Sequence, residues 1–426
     1  MGRKVYVKSF GCSTNLADGE VIAGCLKHAG YEITQNPSEA EILIYNTCAV
    51  KSPTEDKMVN ILKKIPENKK LVVTGCLPLI NLERLQKEVR FNGVIGPSPG
   101  SEIVNIVRRV ENGEKPLVLR NDLKPSLSLP RVTVSPVSRI IPIAYGCLGA
   151  CSFCCVRFAR GKLRSQPMDE ILEQVKKAVK GGVKEIWLTA QDLAVYGKDL
   201  GLTLPVLLNK VLKEVKGDFF VRLGMMNPHN VLEILDELIE VYKNDKIFKF
   251  LHLPVQSGDD EVLGLMNRFY TVEDFKRIVF SIRKEIPRLT LATDMICGFP
   301  GETEEAFRRS LRLIEEVKPD IVNISKFYPR PRTPAERMKQ LPSWEVKNRS
   351  RRMTETALKV SLERNLSWVS WEGEILVDEM GLNKSWVGRN FAYKPIVVKD
   401  EESLLGKFLK VKVKKAFSNY LEAEVI

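Results

Sequence analysis

Two hydrophobic periodicities organise the chain. Over residues 1–120, apolar runs of strand length alternate with stretches of helical spacing. Val5–Ser9 reads as a strand. Asp18 is placed to cap the helix after it, where Val21, Ile22, Cys25 and Leu26 recur at helical spacing. Ile-Leu-Ile-Tyr within Glu41–Asn46 and Leu-Val-Val within Lys70–Thr74 continue a parallel α/β rhythm. Between Asn121 and Ser138, Pro125, Pro130 and Pro136 mix with Ser and Val, which predicts an extended linker. From Arg139 the rhythm returns in longer units. The strands expected are Arg139–Ala144, Glu185–Thr189, Phe219–Leu223, Lys249–Leu253, Leu289–Ile296 and Ile321–Phe327, with amphipathic helices such as Met168–Lys180 and Thr271–Lys284 between them. Six such units predict a partial barrel, short of the eight that close a full one. A basic helix over 343–365 and short β alternation from 366 to 426 follow, the latter predicting a small antiparallel barrel. The expected architecture is therefore α/β: an N-terminal parallel α/β domain (1–120), a linker (121–138), a partial (βα)6 barrel with its trailing helix (139–365) and a C-terminal β-barrel (366–426).

Composition narrows the classes. A chain of 426 residues exceeds one ordinary core, and 44% apolar with 28% charged residues is a globular balance. No run of about 18 uncharged apolar residues offers a membrane span. Met1-Gly2-Arg3-Lys4-Val5 enters a strand pattern at once, unlike a signal peptide, so a cytoplasmic protein is expected. Lys and Arg (66) outnumber Asp and Glu (53), which favours a polyanionic partner such as nucleic acid. Three histidines supply little for histidine-rich metal chemistry, whereas nine cysteines in such a chain favour metal or catalytic use over a disulfide framework.

Cys147-Leu-Gly-Ala-Cys151-Ser-Phe-Cys154 follows the first barrel strand directly. Three soft thiolates within eight residues suit one metal site at the mouth where barrel enzymes place their chemistry. Three ligands on a 4Fe–4S cluster leave one iron open to a substrate or cofactor. A zinc site completed by a fourth ligand elsewhere is the competing reading. Cys12, Cys48 and Cys76 each follow a predicted strand, and parallel strands end along one sheet edge, so these three can converge. Three buried packing cysteines are the alternative there. Cys25, Cys155 and Cys297 read as packing residues.

CxxxCxxC opening a βα barrel resembles the radical S-adenosylmethionine (SAM) superfamily over about residues 139–340. Added motifs resemble the methylthiotransferase family nearly end to end. They are Gly11-Cys12-Ser13-Thr14-Asn15, Asn46-Thr47-Cys48-Ala49-Val50, Thr74-Gly75-Cys76-Leu77-Pro78, Ala159-Arg160-Gly161-Lys162, Leu188-Thr189-Ala190-Gln191-Asp192, Leu253-Pro254-Val255-Gln256-Ser257-Gly258 and Cys297-Gly298-Phe299-Pro300-Gly301-Glu302-Thr303. Phrases such as Arg222-Leu223-Gly224-Met225-Met226-Asn227-Pro228 and Phe327-Tyr328-Pro329-Arg330-Pro331 look most like the archaeal–eukaryotic threonylcarbamoyladenosine branch. Arg332 departs from the family phrase, which has Gly there.

The resemblance implies methylthiolation of C2 of N6-threonylcarbamoyladenosine at position 37 of tRNA. It implies SAM and two 4Fe–4S clusters, one on Cys147, Cys151 and Cys154 and one on Cys12, Cys48 and Cys76, with no catalytic residue assigned beyond these ligands. The alternatives are isopentenyladenosine-37 in tRNA, an aspartate of a ribosomal protein, or a non-enzymatic, zinc-stabilised RNA-binding protein. An electron donor and a sulfur source are further partners. Gln191, Asp192, Arg222, Gln256 and Gly298, at or near the strand mouths, are candidates for SAM. Arg160, Lys162, Arg164, Arg351 and Lys412 are candidates for RNA, the last in a C-terminal barrel that resembles the RNA-binding TRAM domain. Trp368, Trp371, Trp386 and Phe391 offer base-stacking surfaces, although core packing accounts for most of them.

Overall fold

The computed structural model describes residues 3–48 and 50–426; Ala49 of the second motif, with Met1 and Gly2, lies outside the described residues. The N-terminal runs form a six-stranded parallel sheet. Lys4–Ser9, Ile42–Thr47 and Lys70–Gly75 are its central strands, and Ile42–Thr47 is buried on both faces. Chain order reverses between Lys4–Ser9 and Ile42–Thr47, because the second strand, Glu32–Thr34, returns to the outer edge. In open α/β sheets ligands bind at such a reversal, beyond the strands' C-terminal ends.

The helix after the first strand is Ser13–His28, and its N-cap residue is Cys12 rather than Asp18. Asp18 lies inside the helix and is buried. Burial reaches nearly all round this helix, because it is sandwiched between its own sheet and the strand Ser138–Pro142. The linker does not hang free. Val132 N–H donates to the Glu20 carbonyl at 3.0 Å and Val134 N–H to the Glu20 carboxylate at 3.1 Å, which straps residues 130–134 along the same helix.

The six central strands are Ser138–Pro142, Glu185–Thr189, Phe220–Leu223, Phe250–His252, Thr290–Cys297 and Ile321–Lys326. They form two parallel three-stranded sheets in sequential order, joined by the parallel bridge Val221–Ile247 into one open arc. Ile186, Leu188, Val221 and Leu223 face the outer helices, while Trp187, Arg222 and Phe250 line the hollow of the arc. The C-terminal strands close a five-stranded barrel in the order Glu372–Met380, Ser385–Arg389, Pro395–Lys399, Leu421–Val425, Phe408–Ala416. All its pairings are antiparallel except that of Pro395–Lys399 with Leu421–Val425. Trp368 is buried in the barrel core, where Trp371, Trp386 and Phe391 pack against it. Among the described residues no helix is long and apolar enough to cross a membrane.

Candidate active site

Cys12, Cys48 and Cys76 stand at three strand ends beside the chain reversal. Glycine lets these loops approach. Gly11 has φ +104°, and a Cβ on it would fall 2.6 Å from the Cys48 Cβ and 2.8 Å from its sulfur. Gly75 has φ +93°, and a Cβ there would meet the Thr47 carbonyl at 2.3 Å. Thr47 in turn accepts Cys76 N–H at 2.9 Å. Burial pushes the Cys76 thiol up to about 12, against the pull of the Arg160 guanidinium, while Cys12 and Cys48 add to the rise. Cys48 is raised for the same first reason.

The second nest is held from several sides. Gly149 N–H donates to Cys147 Sγ at 3.2 Å, and Arg268 Nη1 donates to Cys151 Sγ at 3.3 Å. Ser152 is fixed by Met266 and Leu265 carbonyls, and Asn267 Nδ2 donates to the Ala150 carbonyl at 2.8 Å. Burial raises Cys147 to about 11 and lifts Cys154 further.

Do these residues fit iron–sulfur clusters? Thiols buried enough to hold their protons become ligands by releasing them to a metal. N–H donors aimed at sulfur, with buried Arg160 beside the first nest and half-buried Arg268 beside the second, suit an anionic thiolate cluster. Among the described residues no three donors are already gathered as for a single ion. A cubane asks for something else, since each thiolate binds its own iron. The donor set fits.

A cavity of about 680 Å³ joins the two nests: Cys12 lines it from one and Cys154 from the other. Lys51, His252, Gln256, Asp294, Asn323, Lys326 and Tyr328 complete much of its wall. His252 Nε2 lies 3.0 Å from Asp294 Oδ1, which accepts Asn323 Nδ2 at 2.8 Å. Burial pushes the Asp294 carboxyl up, but His252, Asn323 and Lys51 outweigh it and hold it below the ordinary value.

Of the SAM candidates, only Gln256 lines this cavity, with a left-handed φ of +72° that is rare outside glycine. Gln191 instead braces the units: its Oε1 accepts Gly146 N–H at 2.7 Å and its Nε2 lies 3.4 Å from Thr14 Oγ1. Asp192 is spent on Ala194 N–H, Asn227 N–H and the Asn230 amide. Arg222 stacks on Trp187, Phe250 and Tyr393 at the barrel-ward end of the arc. Gly298 admits Val346, which a Cβ would meet at 2.5 Å.

The RNA candidates divide equally clearly. Arg160 is buried, so it offers no phosphate contact; it pairs with Asp18, Ser98 and Asn15. Arg164 is occupied by the carbonyls of Asn121, Leu123, Arg160 and Lys162, and so ties the linker down. Lys412 is half-buried and paired with Glu372 at 2.7 Å. Lys162 and Arg351 remain exposed. Arg332 has φ +67°, and its side chain donates to the Leu79 carbonyl and lies over Phe158, bridging the N-terminal sheet unit. Sequence reasoning missed Arg268; nothing in its surroundings marks it before the fold brings it to Cys151. Cys297 packs its sulfur 3.4 Å from that of Met353, as a core residue, and Cys25 is likewise core. Cys155 is buried in the core beneath the first nest and also reaches the cavity wall, where Arg330 faces it.

Residues 141–314 match the model of the radical SAM superfamily, residues 4–96 that of the uncharacterized protein family UPF0004, and residues 372–426 that of the TRAM domain. The fold is similar to that of the radical S-adenosylmethionine methyltransferase TsrM from Kitasatospora setae, solved with cobalamin and a 4Fe–4S cluster bound. The TM-score is 0.56 at 14% identity, over 79% of this chain and 74% of that one. With its cysteine loop at the mouth of a partial barrel, this chain is a radical SAM enzyme. Its sequence is 44% identical to a probable threonylcarbamoyladenosine tRNA methylthiotransferase of Pyrococcus horikoshii, over 99% of both chains. It is 36% identical to the threonylcarbamoyladenosine tRNA methylthiotransferase of Homo sapiens, over 100% of this chain and 74% of the human one. The chain belongs to the threonylcarbamoyladenosine tRNA methylthiotransferase family.

Proposed function

We propose that this enzyme methylthiolates C2 of N6-threonylcarbamoyladenosine at position 37 of tRNA, with SAM and two 4Fe–4S clusters. The observation that carries the reading is the single cavity walled by Cys12 of one nest and Cys154 of the other. An aromatic C–H offers acid–base groups no purchase, and the chemistry the bound cofactors supply is one-electron chemistry that opens such a bond.

The chain's own part is placement. Cys147, Cys151 and Cys154 would hold the cluster to which SAM binds, and Cys12, Cys48 and Cys76 would hold the second, which would supply the sulfur chemistry. Arg268 steadies Cys151 by its 3.3 Å contact. Gln191 and the 2.7 Å contact of Ser13 with Thr189 keep the two loops in fixed relation. Walls of Phe153, Ile296 and Phe327 limit water around the target base. In this division residues 1–120 form the sulfur-bearing unit, 121–138 the strap, 139–365 the radical unit and 366–426 the TRAM-like barrel. An electron donor and a sulfur source complete the cycle, and a cytoplasmic location suits a tRNA substrate.

The test is nucleoside mass spectrometry of tRNA incubated with the anaerobically reconstituted enzyme, alongside iron and sulfide analysis. About eight irons per chain and a methylthio gain on threonylcarbamoyladenosine are expected. Gain on isopentenyladenosine or on a ribosomal protein, or zinc without sulfide, overturns the reading.

A further inference from the structure

The proposed substrate differs from plain adenosine by an arm that ends in a carboxylate, and the cavity carries matching charge. Lys51 approaches from the start of helix Ser52–Leu62, and Lys326 ends the last strand of the arc. They come from different units, yet line the same cavity as Asp294, whose carboxylate feels the charge of Lys51. Among the described residues neither lysine is in an ion pair, although both are exposed to the cavity. The other polar groups there have partners: Arg330 pairs with Glu55, and Asp294 Oδ1 lies 3.0 Å from His252 Nε2 and accepts from Asn323 Nδ2. Lys326 Nζ lies 5.9 Å from the centre of the Tyr328 ring, which offers a flat apolar face beside the charge.

We infer that Lys51 and Lys326 together seat the carboxylate of the substrate's threonylcarbamoyl arm, and so select the acylated base over adenosines with apolar N6 groups. The inference rests on the reading above. Two ammonium groups in a partly enclosed site give charge-assisted hydrogen bonds that a neutral arm cannot repay. Asp294 and Asn323 line the same cavity and offer polar atoms for the arm's urea and hydroxyl groups. An RNA phosphate or the carboxylate of SAM is chemically similar, so the test must separate these sources.

The experiment uses the full-length reconstituted enzyme and two anticodon stem–loops. One carries threonylcarbamoyladenosine, and the other its threoninamide analogue, with a carboxamide in place of the carboxylate. The readout is kcat/KM for methylthio gain. Wild type should favour the acid by about tenfold or more. Lys51→Gln with Lys326→Gln should lose at least about tenfold on the acid and treat the two RNAs nearly alike. Lys326→Arg should retain the preference, and iron content should match wild type in every variant. A wild type that modifies both RNAs equally overturns the inference while leaving the substrate reading intact. Equal losses on both RNAs in the double variant assign the lysines to phosphate or to SAM and also overturn it, as does a double variant that keeps the wild-type ratio. If wild type modifies neither RNA, the substrate reading fails and the seat fails with it.

Discussion

Arg160 Nη1 donates to Asp18 Oδ2 at 2.8 Å, joining the short helix Val156–Arg160, which follows the Cys147–Cys154 loop, to the helix that begins beside Cys12. Both side chains are almost fully buried, at 2% and 1% exposure. Ser98 Oγ, 2.7 Å from the same nitrogen, and Asn15 complete the partners, all from the N-terminal unit. Desolvating both charges is costly, so the pair is weak evidence of net stability, but removing one member leaves the other unpaired. Arg160→Ala should therefore lower unfolding free energy by about 3–5 kcal/mol, read from the urea midpoint of the anaerobic protein. A change under about 1 kcal/mol would mean that the guanidinium is not buried as described.

The two cysteine sets should separate by function. Cys151→Ala is expected to abolish SAM cleavage. Cys48→Ala should leave cleavage largely intact, stop methylthiolation and leave about four irons per chain. Chromatography of 5′-deoxyadenosine beside iron analysis makes the comparison, and equal loss of cleavage in both variants would refute the division.

Stability should also depend on Glu185, which lies where the C-terminal barrel meets the arc. Burial, with the Asp378 carboxylate adding to it, pushes its carboxyl up to about 7, against the pull of Tyr393, Trp187 and Arg389. A raised carboxyl costs nothing while protonated in both folded and unfolded chains. The cost grows as pH climbs from the ordinary value of 4.5 and is complete above about 7. Glu185→Gln should stabilise by under about 1 kcal/mol at pH 5 and by about 3 kcal/mol at pH 8. Thermal melts at the two pH values check it; an equal effect at both would show that ionisation is not involved.

RNA affinity should fall steeply with salt, since phosphate contacts release counterions. Lys162→Ala and Arg351→Ala should each reduce the slope of log K against log salt by about one unit. Arg164→Ala should leave the slope unchanged, because its nitrogens are engaged with carbonyls. Fluorescence anisotropy across a salt series reads all three.

Strand positions were legible where burial is deep, as in Ile42–Thr47, whose residues are all buried. Glu185–Thr189 and Met168–Lys180 fall where the apolar spacing places them, and the three strand-end cysteines lie along one sheet edge as parallel topology requires. What escaped the sequence lies between the units. Asp18 has the chemistry of a helix cap and Arg160 that of a phosphate contact. Only docking the Ser13–His28 helix against the arc turns them into partners, 142 positions apart. Phe158 and Ala159 beside Arg160 were the one local hint that its surroundings are apolar. The linker's proline and serine content announced an extended path but not its attachment to Glu20. Gln191 and Asp192 sit at the mouth as expected, yet their atoms are largely spent on neighbouring chain, which no spacing reveals.

Gln191 touches Gly146 on one side and Thr14 on the other, and Ser13 meets Thr189 close by. The gap between the two sulfur nests is thus spanned by direct contacts between the units, like the jaw width of a jig. On the function proposed above, a workpiece set there is reached from both ends without being turned, and the traffic of each cycle falls to the small molecules entering and leaving.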